Sequence, residues 1–217
     1  VIGSAGETRK ATARFLDTYP IDAPFLPPTV SDERRFMDLT RVITDHADYQ
    51  VYHRLDRLSV AVRRDWGTLG IGRQALTWGN GFLFNPLDLF NPFSPTDVER
   101  DYKTGDDMVA LQAYTGAAGD MQLLYVPRRE TAADDVAWDQ SSVAGKFHTY
   151  LGSLEMVAMA GVHYDDPVFG VGFVGYLGSA AWRLDATYTD LSGSSGKNGY
   201  PAFCANMDYS RSEERRV

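Results

Sequence analysis

The chain has 217 residues and a net charge of −8, with 44% hydrophobic residues, 20 Gly and an aromatic set of 12 Tyr, 11 Phe and 4 Trp. That length suits one large or two small domains, and the hydrophobic share is far above that of disordered chains. An acidic chain with no basic face argues against nucleic acid as a partner, and the single Cys204 excludes an internal disulfide framework and a Cys-based zinc site.

Residues 1–35 carry no clear period and read as an extended N-terminal segment. Val1 opens the chain, no signal-peptide pattern follows it, and both ends read as those of a fragment. No apolar run approaches the ~18 residues of a transmembrane helix. What recurs is a two-residue alternation, the signature of strands. It predicts strands at about 36–44, 50–66, 68–78, 106–115, 120–127, 141–151, 154–165, 168–177, 180–190 and 201–210. In the clearest case Leu154, Met156, Ala158, Ala160 and Val162 share one face, and Glu155, Val157, Met159 and His163 the other. Residues 211–217 break the alternation, resemble the translation of a sequencing adapter, and are read as a non-native tail.

The connections set the expected topology. Tight turns stand at 66–68, 116–119, 152–153 and 178–179, and mostly longer connections at 79–105, 128–140, 165–167 and 191–200. Short turns at every second connection fit an up-and-down meander with unlike ends. A Greek-key sandwich gives no reason for this alternation. The expected fold is all-β: part of an antiparallel up-and-down transmembrane β-barrel of about ten strands, occupying 36–210 as one domain. So many strands leave an interior too wide for side chains alone. Charged residues at mid-strand (Lys146, Glu155, Arg183, Asp185) then face a wet interior, the apolar faces meet lipid, and Trp66, Trp78, Tyr125, Tyr150, Tyr164, Tyr176, Trp182, Tyr188 and Tyr209 suit interfacial girdles. Arg73 shares parity with Leu69 and Ile71, so a bulge near Gly70 or Gly72 is expected to re-aim it inward.

Between the strands lies an unusual segment. Pro86, Pro92, Pro95, Asn80, Asn85 and Asn91 make it a structured loop, and its Phe and Leu residues require burial, so it is expected to fold into the barrel or across its mouth. The stretch Asp56-Arg57, Gly72-Arg73-Gln74, Trp78-Gly79-Asn80-Gly81, Asn85-Pro86-Leu87-Asp88-Leu89-Phe90-Asn91-Pro92 and Tyr102-Lys103-Thr104-Gly105-Asp106-Asp107 resembles uncharacterised porin-like outer-membrane barrels of Gram-negative bacteria, distantly similar to alginate-export-type porins. Val126-Pro127-Arg128-Arg129 and Asn206-Met207-Asp208-Tyr209 fit the same pattern, so the resemblance spans about 36–210. It implies a bacterial outer-membrane location, transport, lipid as surroundings and an undefined small polar solute as cargo.

Charged residues set selectivity in such a pore. The candidates for its lining and constriction are Arg63, Arg73, Asp88, Arg100, Lys103, Asp106, Asp107, Lys146, Glu155, Arg183 and Asp185. No cofactor, metal or catalytic residue is expected, and homo-oligomerisation is compatible with the reading. His148 is expected opposite Val157 and His163 opposite Ser142, too far apart to share a metal. An acidic cluster (Asp97, Glu99, Asp101, Asp106, Asp107) suits Ca²⁺ by ligand type, but a solvated loop paired with Arg100 and Lys103 is the preferred reading. A non-conducting adhesion or structural barrel and a barrel hydrolase at the membrane rim are the competing functions; no Gly-x-Ser-x-Gly elbow supports the latter.

Overall fold

The computed structural model describes residues 2–5, 32–46, 49–81, 84–90, 103–116, 119–130, 135–191 and 198–209. Among these the regular structure is all strand and no helix: β1 (Ile2–Ala5), β2 (Thr40–Asp45), β3 (Tyr49–Arg54), β4 (Leu58–Arg64), β5 (Gly67–Gln74), β6 (Asp106–Tyr114), β7 (Asp120–Val126), β8 (Ser142–Leu151), β9 (Leu154–His163), β10 (Asp166–Leu177), β11 (Ala180–Thr189) and β12 (Tyr200–Tyr209). Strands β4 to β12 form one nine-stranded sheet in which each strand pairs antiparallel with its neighbour in sequence. The meander is open, with β4 and β12 at its edges, as in part of a barrel. A second sheet, ordered β1-β3-β2, stands apart from it.

The alternation reading holds across β6 to β12, and the ladders place His148 opposite Val157 and His163 opposite Ser142 as expected. Three expectations are corrected. The run 50–66 is two strands, because the chain leaves one sheet at Leu55 and enters the other at Leu58. β5 ends at Gln74 instead of running on to Trp78. The connection after β9 is a tight turn at Tyr164 and Asp165, both with positive φ (52° and 70°), the primed geometry that matches strand twist. Of the connections at this end, the one joining β9 to β10 is therefore short.

The bulge is corrected too. β5 pairs through Gly70 and Gly72 with both β4 and β6 without a register shift. Gly72 instead has φ of +121°, and a Cβ there would lie 2.3 Å from the Leu58 carbonyl oxygen, so only glycine fits. Arg73 stays opposite Asp107 and is neutralised where it stands.

The two faces of the large sheet differ sharply. By register, one face carries Val60, Ile71, Leu111, Leu123, Phe147, Val162, Phe169, Val171, Leu184, Phe203 and Met207. Charged strand residues enter this face only at its margins: Arg64 beside the turns, and the Arg73–Asp107 pair at the other end. Apart from the half-buried Leu111, these large apolar side chains are exposed, Phe203 to 79% and Met207 to 70%. This is the bare face. The opposite face holds Gln112, Asp120, Gln122, Lys146, His148, Glu155, Arg183, Asp185, Thr187 and Thr189, and part of it lies beneath residues of the stretches 76–81 and 84–90. This is the covered face. The core is therefore a contact between a loop and a sheet: Trp78, Leu87 and Phe90 pack with Met108, Leu124, Val126, Ala144, Val157, Met159 and Val168.

Candidate functional site

The covered face and the segment docked on it form the candidate site. The segment seats by shape. Leu87 is wholly buried and rests on Gly170 and Gly172 of β10. A Cβ on Gly170 would lie 2.5 Å from Leu87 Cδ2, and one on Gly172 would lie 2.9 Å from Leu87 Cδ1. Two glycines on one face of a strand thus cut a notch for one leucine. Phe90 meets Trp78 edge-on at 5.3 Å and His163 edge-on at 5.3 Å.

Polar contacts fix the orientation. Trp78 Nε1 donates to Gln122 Oε1 at 2.8 Å, and the Trp78 backbone N–H donates to Asp88 Oδ1 at 3.0 Å. The Asn80 backbone N–H donates to Asp185 Oδ2 at 2.8 Å, which ties the segment to β11. Lys103 Nζ donates to Asp88 and to the Leu76 carbonyl, closing the far limb of the segment onto its near limb. Lys146 Nζ stands 5.7 Å from the centre of the Trp78 ring, within cation–π range.

A second cluster seals the end of the sheet. Arg73 Nε donates to Asp107 Oδ1 at 2.8 Å, Arg73 Nη1 to Asp32 Oδ2 at 2.9 Å, and Nη2 to the Met37 carbonyl. Asp32 also accepts from Arg35 at 3.0 Å and Arg54 at 3.2 Å. Asp106 pairs with Arg128 at 2.7 Å. Burial acts to raise the Asp32 pKa. The hydrogen bonds from Arg73 and Thr40, the Arg73 charge and the Leu39 N–H outweigh it, and the carboxyl sits below its ordinary value.

The expected site residues therefore divide. Asp88, Lys103, Lys146, Glu155, Arg183, Asp185 and Arg63 belong to the covered face or its docked segment. Glu155 lies 3.1 Å from His148 Nε2, while His148 Nδ1 meets Asp120 at 3.0 Å; Arg183 bonds Asp208. Arg73, Asp106 and Asp107 are buried ion-pair members at the sheet's end and do not line an open surface. Arg100 lies outside the described residues, as do Asp97, Glu99 and Asp101 of the acidic cluster. The remaining two, Asp106 and Asp107, are matched by arginines and are not solvated. Among the described residues no group of three His, Cys, Asp or Glu could hold a metal. Trp78, expected in an interfacial girdle, is a buried anchor of the segment instead, because its N–H finds a partner in Gln122. Sequence reading missed Gln112, Gln122, Gly170 and Gly172; strict alternation with Gly on one parity of β10 was the signal available for the last two.

Ser142 Oγ lies 2.9 Å from His163 Nδ1. Ser142 is buried and His163 lies against Phe90, so the pair is packed beneath the docked segment. Comparison with protein-family models, with curated proteins and with solved structures gives no match for this chain.

Proposed function

We propose that this chain is part of a bacterial outer-membrane β-barrel, a porin-like channel for small polar solutes narrowed by the segment between β5 and β6. The observation that carries the reading is the bare face: strands of a nine-stranded meander expose large apolar side chains on one face and keep their mid-strand charges on the side the segment covers. In water such a continuous apolar surface would drive association. In a bilayer it is the wall a barrel needs, and a polar interior is its counterpart. Strand lengths support it, since β8, β9, β11 and β12 have 10 residues and β10 has 12, near the ~9–11 of a membrane-crossing strand. Aromatics stand near strand ends, including Trp182 and Tyr209 at the turn end and Tyr125 stacked on Trp138 at the other. The resemblance to porin-like outer-membrane proteins points the same way, with the alginate-export likeness the more distant part.

The test is conductance of the full-length protein in planar bilayers. Replacing residues 84–90 by a short Gly-Ser linker should raise the single-channel conductance of an already conducting protein. No conductance from either form would favour the non-conducting barrel, filled by the segment that buries Trp78, Leu87 and Phe90. Covalent labelling of Ser142 by a serine-hydrolase probe would favour the hydrolase reading.

A further inference from the structure

On the bare face, Val109, Tyr125, Val143 and Val162 form one cross-strand row from β6 to β9, and Leu111, Leu123, Gly145 and Ala160 form the next row towards the tight turns. Leu123 and Phe169 flank Gly145 and Ala160 in that second row, and Phe147 stands beyond Gly145 on β8. Two small residues among large ones leave a dip in the apolar wall, a trough of about 520 Å³. A Cβ on Gly145 would lie 3.4 Å from Leu123 Cδ2, an ordinary contact, so the packing of the sheet does not demand glycine here. Trp138 borders the trough on its loop side and stacks on Tyr125, with ring centres 6.0 Å apart.

Cations stand just past that aromatic pair. Arg35 opposes Arg128 in an isolated bridge, and both turn to Asp106, at 3.8 and 2.7 Å. Alternation then gives their neighbours Arg34 and Arg129 the parity of the bare face, and the Arg129 N–H donates to the Arg34 carbonyl at 3.0 Å. Arg34 is exposed and has no ion pair among the described residues. Arg129 Nη2 donates to the Phe36 carbonyl at 2.7 Å. Of the nearby acids, Glu33, Glu130 and Asp135 take the other parity, and Asp139 accepts from Gln140 at 3.3 Å. Apolar trough, aromatic pair and arginines therefore follow one another along the line of β7, in the order that acyl chain, interface and headgroup take in a bilayer.

We propose that this trough and its arginines bind one lipid molecule, with an acyl chain over Gly145 and Ala160 and an anionic phosphate headgroup at Arg34 and Arg129. The guanidinium fork matches phosphate geometry, and its apolar stem lies along the wall while the charge stays at headgroup level. A dip two strands wide surrounds an acyl chain that a flat wall would only touch, and dispersion contact is forfeited steeply across a gap. General attraction does not explain the choice of an anion, because the chain carries a net charge of −8. The complementarity is local to the two arginines. The inference rests on the reading of the bare face as lipid-facing, and adds that one place on that face selects its lipid.

The test is tryptophan quenching on the full-length protein in phosphatidylcholine vesicles, with bromine on the acyl chains of either phosphatidylglycerol or phosphatidylcholine. Trp138 emission is the difference from Trp138→Phe protein, whose remaining tryptophans report contact with bulk lipid. Brominated phosphatidylglycerol should quench Trp138 in preference to phosphatidylcholine, by about fivefold for each arginine near the surface. Arg34→Gln should lower that preference about fivefold, and Arg34→Lys should keep most of it. Gly145→Leu, which fills the trough, should abolish the preference and leave the other tryptophans quenched as before. Equal quenching of Trp138 by both lipids, a preference unchanged in Arg34→Gln or Gly145→Leu, or displacement by glycerol phosphate alone would overturn the proposal. So would quenching that disappears as protein is crowded into the vesicles, the sign of a second copy in the trough. Quenching of the remaining tryptophans without preference at Trp138 removes this site and leaves the lipid-facing reading intact; quenching of no tryptophan removes both.

Discussion

Gly170 holds the docked segment by what it lacks. Leu87 occupies the space that any side chain at this position would need, and the leucine has no exposed surface to retreat into. Gly170→Val should therefore destabilise the protein by about 1–3 kcal/mol, the usual cost of overpacking. The check is denaturant unfolding in micelles, together with hydrogen exchange at the Trp78 and Asn80 amides, which should quicken as the segment lifts. Unchanged exchange would mean that Leu87 is not what seats it. Trp78 shows the same economy: one side chain fills the core and satisfies Gln122.

If the chain lies in a membrane as proposed, each strand of the sheet is a boundary between two media, and its parity decides which residue meets which. Val171 and Phe203 lie in the same cross-strand row of the bare face, well away from both strand ends. Val171→Arg and Phe203→Arg should each cost about 2–4 kcal/mol of folding free energy in lipid vesicles, the penalty for a cation near the bilayer midplane. Asn206→Arg on the covered face of β12 should cost little. Equal losses at Phe203 and Asn206 would contradict lipid contact for this face. The glycine of β5 works at the same scale, since Gly72 permits a close approach to β4 without the inserted residue that a bulge would need.

At the scale of the whole molecule, Asp32 joins parts distant in sequence. It accepts from Arg54 at the end of β3 and Arg73 at the end of β5, and so links the two sheets. Asp32→Asn removes one charge from a buried cluster while Arg73 stays in place, and should cost about 3–5 kcal/mol. The pH dependence follows from the depressed pKa of this carboxyl. Its ordinary value is about 4. The stabilising contribution is full above that value and is lost as pH falls through the lower, folded-state pKa. Acid titration followed by near-ultraviolet circular dichroism should show a transition below about pH 4 that is weakened in Asp32→Asn. An identical acid transition in the variant would exclude Asp32 as its source.

The alternation of side chains determined, from sequence alone, the strands from β6 to β12, the faces of each, the register of the β8–β9 hairpin and the meander order, because period two and short turns are local properties. In the segment after β5, the need of Phe and Leu residues for burial is met at Leu87 and Phe90, which pack on the sheet, and not at Phe84, which is exposed. Only the tertiary structure decided where that segment sits, since the notch at Gly170 and Gly172 and the partnership of Trp78 with Gln122 join positions far apart in the chain. The same holds for Arg73, Asp106 and Asp107. Sequence marks them as charged and therefore as pore candidates, but their partners Asp32, Arg35 and Arg128 arrive from other elements and turn them into a buried clamp. Local periodicity fixes which side of a strand a residue faces; only packing fixes what waits for it there.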